Sequence, residues 1–263
     1  MKKVLSLVLV VCLSVTMLCA CGSDSKTEAK KESDKTLSMA TNAEFPPYEY
    51  VDGDKVVGID VDIAQAIADK LGMKLKVDNI NFDSIIPAVT SGKDQIGIAG
   101  MTVTEKRKKS VDFTDSYATG VQAVIVKEDS KIKDAADLTK KGANNKIGVQ
   151  LGTTGDLYCT DDVENAGLGK VEKYNKGADA VQALKQGKID AVIIDAEPAK
   201  VFVEKNDDLE ILEEPFAEEE YAIAMKLDNT ELQTAVNGAL KELKADGTLD
   251  AIKANYVGEN AGK

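Results

Sequence analysis

Two segments of the chain are similar enough to limit the folds open to it. Residues 84–100 (SIIPAVTSGKDQIGIAG) and 179–195 (DAVQALKQGKIDAVIID) align without a gap at an offset of 95 residues. Each copy predicts a helix, a Gly-Lys turn and an apolar strand, so the pair indicates two similar α/β halves. The alternative is chance, because helix–strand units with such turns recur in unrelated α/β proteins.

A second and weaker similarity extends the repeat upstream. Residues 36–41 and 146–151 both predict strands, although their offset is 110 residues. Between strands, residues 60–71 (DVDIAQAIADKL) place Ile63 and Ile67 on one face of a predicted helix. Alternating short strands and helices are typical of βαβ units. We therefore expect an α/β fold of two lobes with mainly parallel sheets.

The expected ligand cleft follows from this repeat. Ligands of open α/β sheets bind beyond the carboxyl ends of the strands. In two such lobes, residues 42–48, 100–107 and 150–154 would line one cleft together with Asp195.

The stretch AGMTVTEKR (residues 99–107) ends an apolar strand and delivers an arginine soon afterwards. Gly100 would end the strand and allow a ligand close to the backbone. Thr104 is a suitable N-cap, which places Arg107 in the first helical turn, and Thr102 can add a hydroxyl. Backbone amides and a guanidinium would then converge on a carboxylate. The alternative is a solvated basic helix, since lysines surround Arg107.

Asp195 stands at the end of the second apolar strand. A carboxylate there either caps the next helix or faces the cleft, where it would bind an amine. Taken together, Arg107 from one lobe and Asp195 from the other are complementary to the two charges of a free amino acid.

Aromatic residues occur on two loops of the same expected cleft. Phe45 and Tyr48 flank a Pro-Pro pair, and Phe82 precedes a predicted helix. They could enclose the apolar stem of a ligand side chain, although ordinary core packing is the alternative.

Composition excludes several kinds of chemistry. The chain has no histidine, which rules out Ser-His-Asp triads, Cys-His pairs and imidazole metal sites. Any enzyme here would have to work with carboxylates, lysine, tyrosine or cysteine. Because Arg107 and Asp195 together already account for binding of a free amino acid, we expect no enzyme activity, and we expect no cofactor and no metal. Cys159 is the one cysteine outside the N-terminal segment, and a structural role is favoured over a redox role.

The N-terminal residues predict export and a membrane anchor. Two lysines precede a largely apolar run, residues 4–18, which is shorter than the about 20 residues that span a bilayer. The sequence LCAC resembles the bacterial lipobox, so we expect cleavage before Cys21 and lipid on Cys21, with a plain signal peptide as the alternative. Residues 21–35 then form a flexible tether, because they are almost entirely polar.

The charge balance argues against nucleic acid as a partner. Without Lys2 and Lys3, 31 basic residues face 45 acidic ones, a net charge of −14. Nucleic acid rewards positive charge, so we expect no such partner.

Six motifs together resemble a known family, the extracellular solute-binding proteins (family 3) of polar amino-acid ABC transporters, which are type II two-lobed binding proteins. The similarity covers residues 37–256. The motifs follow in order: FPPYEY with VGIDVDIAQAIA, FDSIIPAVTSGKDQIGIAGMTVTEKR, VDFTDSY, GVQLGTTG, DAVIIDAEPA and EEEYAIAM.

The resemblance implies roles for individual residues. In the family, the arginine matching Arg107 binds the ligand α-carboxylate, assisted by the position matching Thr102 and by the loop matching Thr153 and Thr154. The aspartate matching Asp195 binds the α-ammonium.

Two aromatic positions complete the implied site. The residue matching Phe45 stacks on the ligand, and Phe82 matches a second position in the wall. The candidate ligand-binding residues are therefore Asn42, Phe45, Phe82, Gly100, Met101, Thr102, Arg107, Gln150, Thr153, Thr154 and Asp195.

The resemblance also implies that the chain crosses between the lobes twice, near residues 119–121 and 217–219. The expected organisation is a signal peptide (1–20), a tether (21–35), a first lobe (36–120 and 218–263) and a second lobe (121–217). Closure about these hinges would trap the ligand for membrane permease subunits.

Ligand identity is less defined by the sequence. Asn42 matches a position that is acidic in some binders of basic amino acids, which favours a polar uncharged or sulfur-containing ligand over a basic one. Gly155 matches a position often occupied by glutamine, which suggests extra room.

We therefore expect a lipid-anchored monomer on the extracytoplasmic face of the cell membrane of a single-membrane bacterium. It captures a free amino acid and delivers it to an ABC importer. The alternatives are an enzyme similar to cyclohexadienyl dehydratases, with Glu44 or Glu197 as proton donor, a ligand-sensing lipoprotein, and a structural surface lipoprotein.

Overall fold

The computed structural model describes residues 35–257, in which two large β-sheets flanked by helices form two lobes and a third, small sheet has three strands (residues 44–57). The expected signal peptide, most of the tether and Cys21 lie outside the described residues. The strands are β1 (Thr36–Thr41), β2 (Glu44–Phe45), β3 (Glu49–Asp52), β4 (Lys55–Val57), β5 (Lys74–Asn79), β6 (Ile96–Gly97), β7 (Val111–Phe113), β8 (Ala118–Lys127), β9 (Asn145–Gln150), β10 (Gly169–Tyr174), β11 (Ala191–Asp195), β12 (Leu209–Ile211), β13 (Ala217–Tyr221) and β14 (Ala224–Lys226). The α-helices are α1 (Ile59–Lys70), α2 (Ile85–Ser91), α3 (Thr154–Cys159), α4 (Gly177–Lys185), α5 (Ala196–Glu204), α6 (Thr230–Ala245) and α7 (Thr248–Tyr256).

The two sheets have matching strand orders. The first lobe contains β5-β1-β6-β14-β7, and the second contains β10-β9-β11-β8-β12 with β13 also paired to β8. In the first sheet β14 is antiparallel to its neighbours, and in the second sheet β8 is antiparallel to its neighbours. The other strands of each sheet share one direction, which confirms the expected mainly parallel α/β architecture. The predicted repeat corresponds to α2–β6 and α4–β11, and the weaker upstream pairing corresponds to β1 and β9.

Glycine explains the shared turns of the repeat. Gly92 ends α2 at φ +77°, and Gly187 follows α4 at φ +67°. These left-handed conformations are unfavourable for residues that carry a Cβ. Each turn therefore stops its helix and returns the chain to the sheet in the same way.

The apolar faces predicted from the sequence form the cores. In the first lobe, Ile63 and Ile67 of α1 are fully buried in a cluster with Leu240 of α6 and Ile252 of α7. Burial of an isoleucine side chain contributes about 1.5–3 kcal/mol. In the second lobe, successive residues of β8, such as Val124 and Ile125, face clusters on opposite sides of the sheet.

Two strands link the lobes. β8 and β13 pair antiparallel from Ala118↔Tyr221 to Gln122↔Ala217. They follow and precede the first-lobe strands β7 and β14 along the chain. Within residues 35–257 no helix has both the length and the apolar character needed to cross a membrane.

Candidate functional site

A cavity lies between the lobes, where β9 and β11 end and the chain leaves β6. Its lining combines charged, amide, hydroxyl and aromatic side chains from both lobes. The lining residues are Asn42, Phe45, Phe82, Ala99, Gly100, Thr102, Arg107, Gln122, Gln150, Thr153, Thr154, Ile194, Asp195, Glu219 and Tyr221.

Ten of the eleven candidate residues predicted from the sequence line this cavity. Met101 does not. Its side chain is fully buried in a first-lobe cluster with Ile85 and Val89, because successive residues of extended chain point to opposite sides. Thr102, the next residue, therefore faces the cavity.

Arg107 enters the cavity from a single 3₁₀ turn, Arg107–Lys109. The predicted helix from Thr104 is wrong beyond this turn, because β7 already begins at Val111. The N-cap of this turn is Lys106 and not Thr104 as predicted, although Thr104 Oγ1 accepts a hydrogen bond from the Arg107 amide at 3.1 Å. The alternative of a solvated basic helix is also wrong, because Arg107 is only 5% exposed.

The Arg107 guanidinium is held in place by backbone carbonyls. Nη1 donates to the Thr102 carbonyl at 2.7 Å, and Nη2 donates to the Gly152 carbonyl at 3.0 Å. The guanidinium carbon lies 5.4 Å from the centre of the Phe82 ring, which is within cation–π range. No carboxylate among residues 35–257 forms an ion pair with it.

Burial lowers the pKa of Arg107 to about 10, because the charged form loses hydration, and nearby Glu219 partly opposes this shift. The group nevertheless remains a cation at neutral pH. A buried cation without an ionic partner costs several kcal/mol unless an anion arrives.

Asp195 combines both of the roles considered from the sequence. It caps α5, because Oδ1 accepts a hydrogen bond from the Glu197 amide at 3.1 Å. Oδ2 accepts from the Tyr221 hydroxyl and from the Val121 amide, the latter at 3.3 Å. Burial raises the pKa of Asp195 to about 6, and its hydrogen-bond donors limit that increase. The carboxylate is therefore largely ionised at pH 7 while it faces the cavity.

Sequence reasoning missed three polar residues of the linking strands: Gln122 in β8, and Glu219 and Tyr221 in β13. Glu219 is 6% exposed. Its Oε2 accepts from the Thr102 hydroxyl at 2.9 Å and from Gln122 Nε2 at 3.0 Å. Its Oε1 is buried without a hydrogen-bond partner among the described residues.

A signal for Glu219 exists in the sequence. The segment AEEEY alternates, so that Glu219 and Tyr221 point inward while Glu218 and Glu220 are exposed. A run of three acids is typical of a solvated segment, whereas the strand period buries the central one.

Side chains of the two lobes contact each other across the cavity. Gln150 Nε2 donates to Asn42 Oδ1 at 2.9 Å, and the hydroxyls of Thr102 and Thr154 lie 3.4 Å apart. Away from the cavity lining, Lys176 of the second lobe forms an ion pair with Glu44 of the first lobe at 2.5 Å. These contacts and the Arg107–Gly152 bond describe a closed cleft.

Gly100 and Phe45 form one wall of the cavity. Gly100 has φ +49°, and a Cβ there would lie 2.7 Å from Phe45 Cε1. Phe45 packs against apolar clusters of both lobes. The expectation of extra room at Gly155 is wrong, because an added Cβ would lie 3.1 Å from both Gln122 Oε1 and the Ile193 carbonyl oxygen.

Comparison with known proteins identifies the family of the chain. The family model of bacterial extracellular solute-binding proteins, family 3, matches residues 37–259. The chain belongs to this family. It is therefore an extracytoplasmic solute-binding protein of the amino-acid ABC transporter class, as the sequence motifs implied.

Individual relatives of this family 3 protein bind amino acids. It is 38% identical to the arginine-binding extracellular protein ArtP of Bacillus subtilis (strain 168), over 97% of this chain and 98% of that protein. It is 32% identical to the glutamine-binding protein GlnH of the same strain, over 99% of each. A solved structure of an ancestral arginine-binding protein bound to arginine matches with a TM-score of 0.79 and 43% identity, covering 85% of this chain and 98% of that one.

Proposed function

We propose that this protein captures a cationic L-amino acid, with arginine as the first candidate, for an ABC importer. The observation that carries the proposal is the set of unpaired buried charges in the cavity. One cation, Arg107, and two carboxylates, Asp195 and Glu219, line it. None of the three forms an ion pair with a described residue.

The charges of a free amino acid match two of these groups. Its α-carboxylate would bind Arg107, and its α-ammonium would bind Asp195. A neutral amino acid would leave Glu219 as a surplus buried anion, which is energetically costly. A cationic side chain supplies the missing positive charge, and Glu219 Oε1 is an acceptor without a donor among the described residues. This argument reverses the preference for an uncharged ligand that Asn42 suggested.

The aromatic residues support a ligand with a long stem. Phe45 and Phe82 both line the cavity, and the aliphatic part of arginine would pack between such rings. The relative ArtP and the ancestral structure both bind arginine by name, which agrees with this choice.

Citrulline provides a sharp test, because it has nearly the same shape as arginine without the charge. Calorimetric titration of the purified protein should give at least about 100-fold tighter binding for arginine, which corresponds to about 2.7 kcal/mol. Equal or tighter binding of citrulline or glutamine would contradict the cationic assignment while leaving amino-acid binding intact. Binding of no amino acid would instead contradict the proposed function as a whole.

Glu219→Gln tests the residue that carries the argument. The variant should lose at least about tenfold in arginine affinity and much less in citrulline affinity, because it removes only the surplus charge. The matched control is Glu218→Gln, which removes the same charge from the exposed face of the same strand. An unchanged arginine-to-citrulline ratio in Glu219→Gln would contradict the role.

The remaining elements of the proposal concern the whole chain. Lipid on Cys21 would anchor a monomer to the extracytoplasmic face of the membrane, and β8 with β13 would form the hinge between lobes near residues 119–121 and 217–219. Cells fed labelled palmitate should label the protein, and Cys21→Ser should abolish labelling and release the protein into the medium.

No observation favours an enzyme. The two candidate proton donors do not line the cavity: Glu44 pairs with Lys176 at 2.5 Å, and Glu197 pairs with Lys200 at 2.6 Å. We therefore propose binding without catalysis.

A further inference from the structure

Two carboxyl groups lie directly behind the turn at Gly100. Glu49 of β3 and Asp60 of α1 are both fully buried, with 0% exposure. They belong to the first lobe and lie within hydrogen-bonding reach of each other. Neither lines the cavity, so the ligand-binding roles described above do not account for them.

Asp60 is connected to the cavity wall through one oxygen. Its Oδ2 accepts hydrogen bonds from the Gly100 amide at 2.7 Å and from the Tyr117 hydroxyl at 2.9 Å. By contrast, no described residue donates a hydrogen bond to Asp60 Oδ1 or to either oxygen of Glu49. Three buried oxygens of this carboxyl pair therefore lack a donor among the described residues.

A proton resolves this arrangement. Two ionised carboxylates in contact repel each other strongly in a buried site. A protonated carboxyl group is a donor, whereas an ionised one only accepts. One proton shared by the pair therefore removes the repulsion and satisfies at least one of the orphaned oxygens.

The surroundings place that proton on Glu49. Asp60 already has two donors that stabilise its ionised form, and Glu49 has none among the described residues. The ionisable groups that face Glu49 are Asp60, Asp195, Tyr48 and Tyr117, all of them acids. Burial, followed by the charge of Asp60, raises the pKa of Glu49 well above its ordinary value. Burial raises the pKa of Asp60 only to about 6, because its donors oppose the shift.

We propose that Glu49 and Asp60 share a single proton, held on Glu49, and that this buried acid pair positions the Gly100 turn for the ligand. Gly100 has a left-handed conformation and packs against the Phe45 ring. The ionised Asp60 fixes the direction of its amide. Protonated Glu49 keeps Asp60 ionised without repelling it, so both groups act as positioning residues. The inference rests on Gly100 lining the amino-acid site.

Infrared spectroscopy of the ligand-free protein tests the proton without reference to any ligand. At pH 8 the wild-type protein should show the carbonyl band of a protonated carboxylic acid, and Glu49→Gln should lack it. The matched control, Glu204→Gln, removes an exposed carboxylate at the end of α5 and should retain the band. Absence of the band in the wild type, or its persistence in Glu49→Gln, would overturn the assignment.

The pH dependence of unfolding gives an independent readout. Above the unfolded pKa of glutamate, about 4.5, folded Glu49 keeps a proton that the unfolded chain releases. Stability from this group is therefore lost as pH rises, and the unfolding equilibrium constant increases by about tenfold per pH unit until the folded pKa is reached. Glu49→Gln should remove this one-proton slope, whereas Glu204→Gln should keep it. An identical slope in Glu49→Gln and wild type would overturn the proposal.

Arginine affinity tests the positioning role. The new amide of Glu49→Gln would still donate to Asp60. The new amide of Asp60→Asn would instead point its NH2 group either at Glu49 or at the Gly100 amide and the Tyr117 hydroxyl, which are themselves donors. At pH 8, Asp60→Asn should therefore bind arginine at least about tenfold more weakly than Glu49→Gln. The opposite order would place the proton on Asp60 and overturn the assignment. If Asp60→Asn does not fold, the infrared band and the unfolding slope of Glu49→Gln decide the question.

Discussion

At the residue scale, the site is defined by buried charges that lack ionic partners among the described residues. Arg107 is held by two backbone carbonyls and Asp195 by a hydroxyl and two amides. Neutral donors and acceptors of this kind fix the direction of a charged group without neutralising it. The charges therefore remain available to a ligand, which is what separates a binding site from a structural ion pair.

Arg107→Ala should weaken amino-acid binding at least about 100-fold, because the ligand α-carboxylate would be buried without its cation. Titration calorimetry measures the loss, and the circular dichroism spectrum checks that the fold is retained. Lys108→Ala is the control, since Lys108 is exposed and pairs with Glu105 at 2.9 Å. Unchanged affinity in Arg107→Ala would remove the carboxylate role.

The pKa of Asp195, about 6, predicts opposite effects of pH on binding and on stability. Binding of the α-ammonium needs the carboxylate, so affinity should fall about tenfold per unit as pH drops below 6. The raised pKa means that folded Asp195 keeps a proton the unfolded chain releases. Its contribution to the stability of the ligand-free protein is therefore present below about pH 4 and lost as pH rises through 6.

Titrations and thermal unfolding at pH 5, 6, 7 and 8 separate the two effects. Asp60 titrates in the same range, so Asp195→Asn is the control that isolates Asp195: it should bind weakly and lose the acid-side dependence of affinity. Affinity that rises as pH falls from 7 to 5 would contradict the role of Asp195.

At the scale of elements, the internal repeat explains why the site lies between two sheets. Strands β6 and β11 occupy equivalent places in their sheets, and so do β1 and β9. Gly100 follows β6, Asp195 ends β11, Asn42 follows β1, and Gln150 ends β9. The same two positions of one supersecondary unit therefore supply cavity-lining residues in both lobes.

Gly100→Ala tests the turn after β6. The left-handed φ of Gly100 costs roughly 1–2 kcal/mol for a residue with a Cβ, and that Cβ would lie 2.7 Å from Phe45 Cε1. We expect a lower midpoint of thermal unfolding and at least about tenfold weaker binding. Gly238→Ala is the control, because an added Cβ in α6 meets no atom within 4 Å and should leave binding unchanged. Wild-type affinity in Gly100→Ala would contradict the assigned wall.

The sequence predicted cavity-lining residues correctly where they lie at the end of a strand or shortly after it. The periodicity of the repeat predicted α2, β6, α4 and β11. Asp195 ends its strand as predicted, whereas β6 ends at Gly97, so the prediction that Gly100 ends the strand is wrong by three residues. Arg107 reached the cavity as predicted, but from one 3₁₀ turn, because only a few residues separate Thr104 from β7.

Other parts of the site could not be predicted from local pattern. Gln122, Glu219 and Tyr221 face the cavity only because β8 and β13 pair across the link between lobes. That pairing joins residues about 100 positions apart in the chain and leaves no periodic signal. Met101 lies between two residues that line the cavity, Gly100 and Thr102, whereas alternation turns its own side chain into the core.

At the scale of the whole molecule, the two lobes meet around the cavity through a few polar contacts. The Asn42–Gln150, Thr102–Thr154 and Arg107–Gly152 contacts all cross the cleft, and Phe45 packs against clusters of both lobes. A ligand that bridges Arg107 and Asp195 adds strong charged contacts to this weak set. Binding should therefore stabilise the two lobes as one unit.

Thermal unfolding of the purified protein with each of the twenty amino acids, and with citrulline, tests this account most directly. At 100 times its Kd, a ligand adds about 2.7 kcal/mol, which raises the midpoint by roughly 5–10 °C for a chain of this size. We predict the largest increase for arginine, smaller increases for other cationic amino acids, and little for citrulline. No increase with any cationic amino acid, or the largest increase with a neutral one, would contradict the charge match on which the account depends.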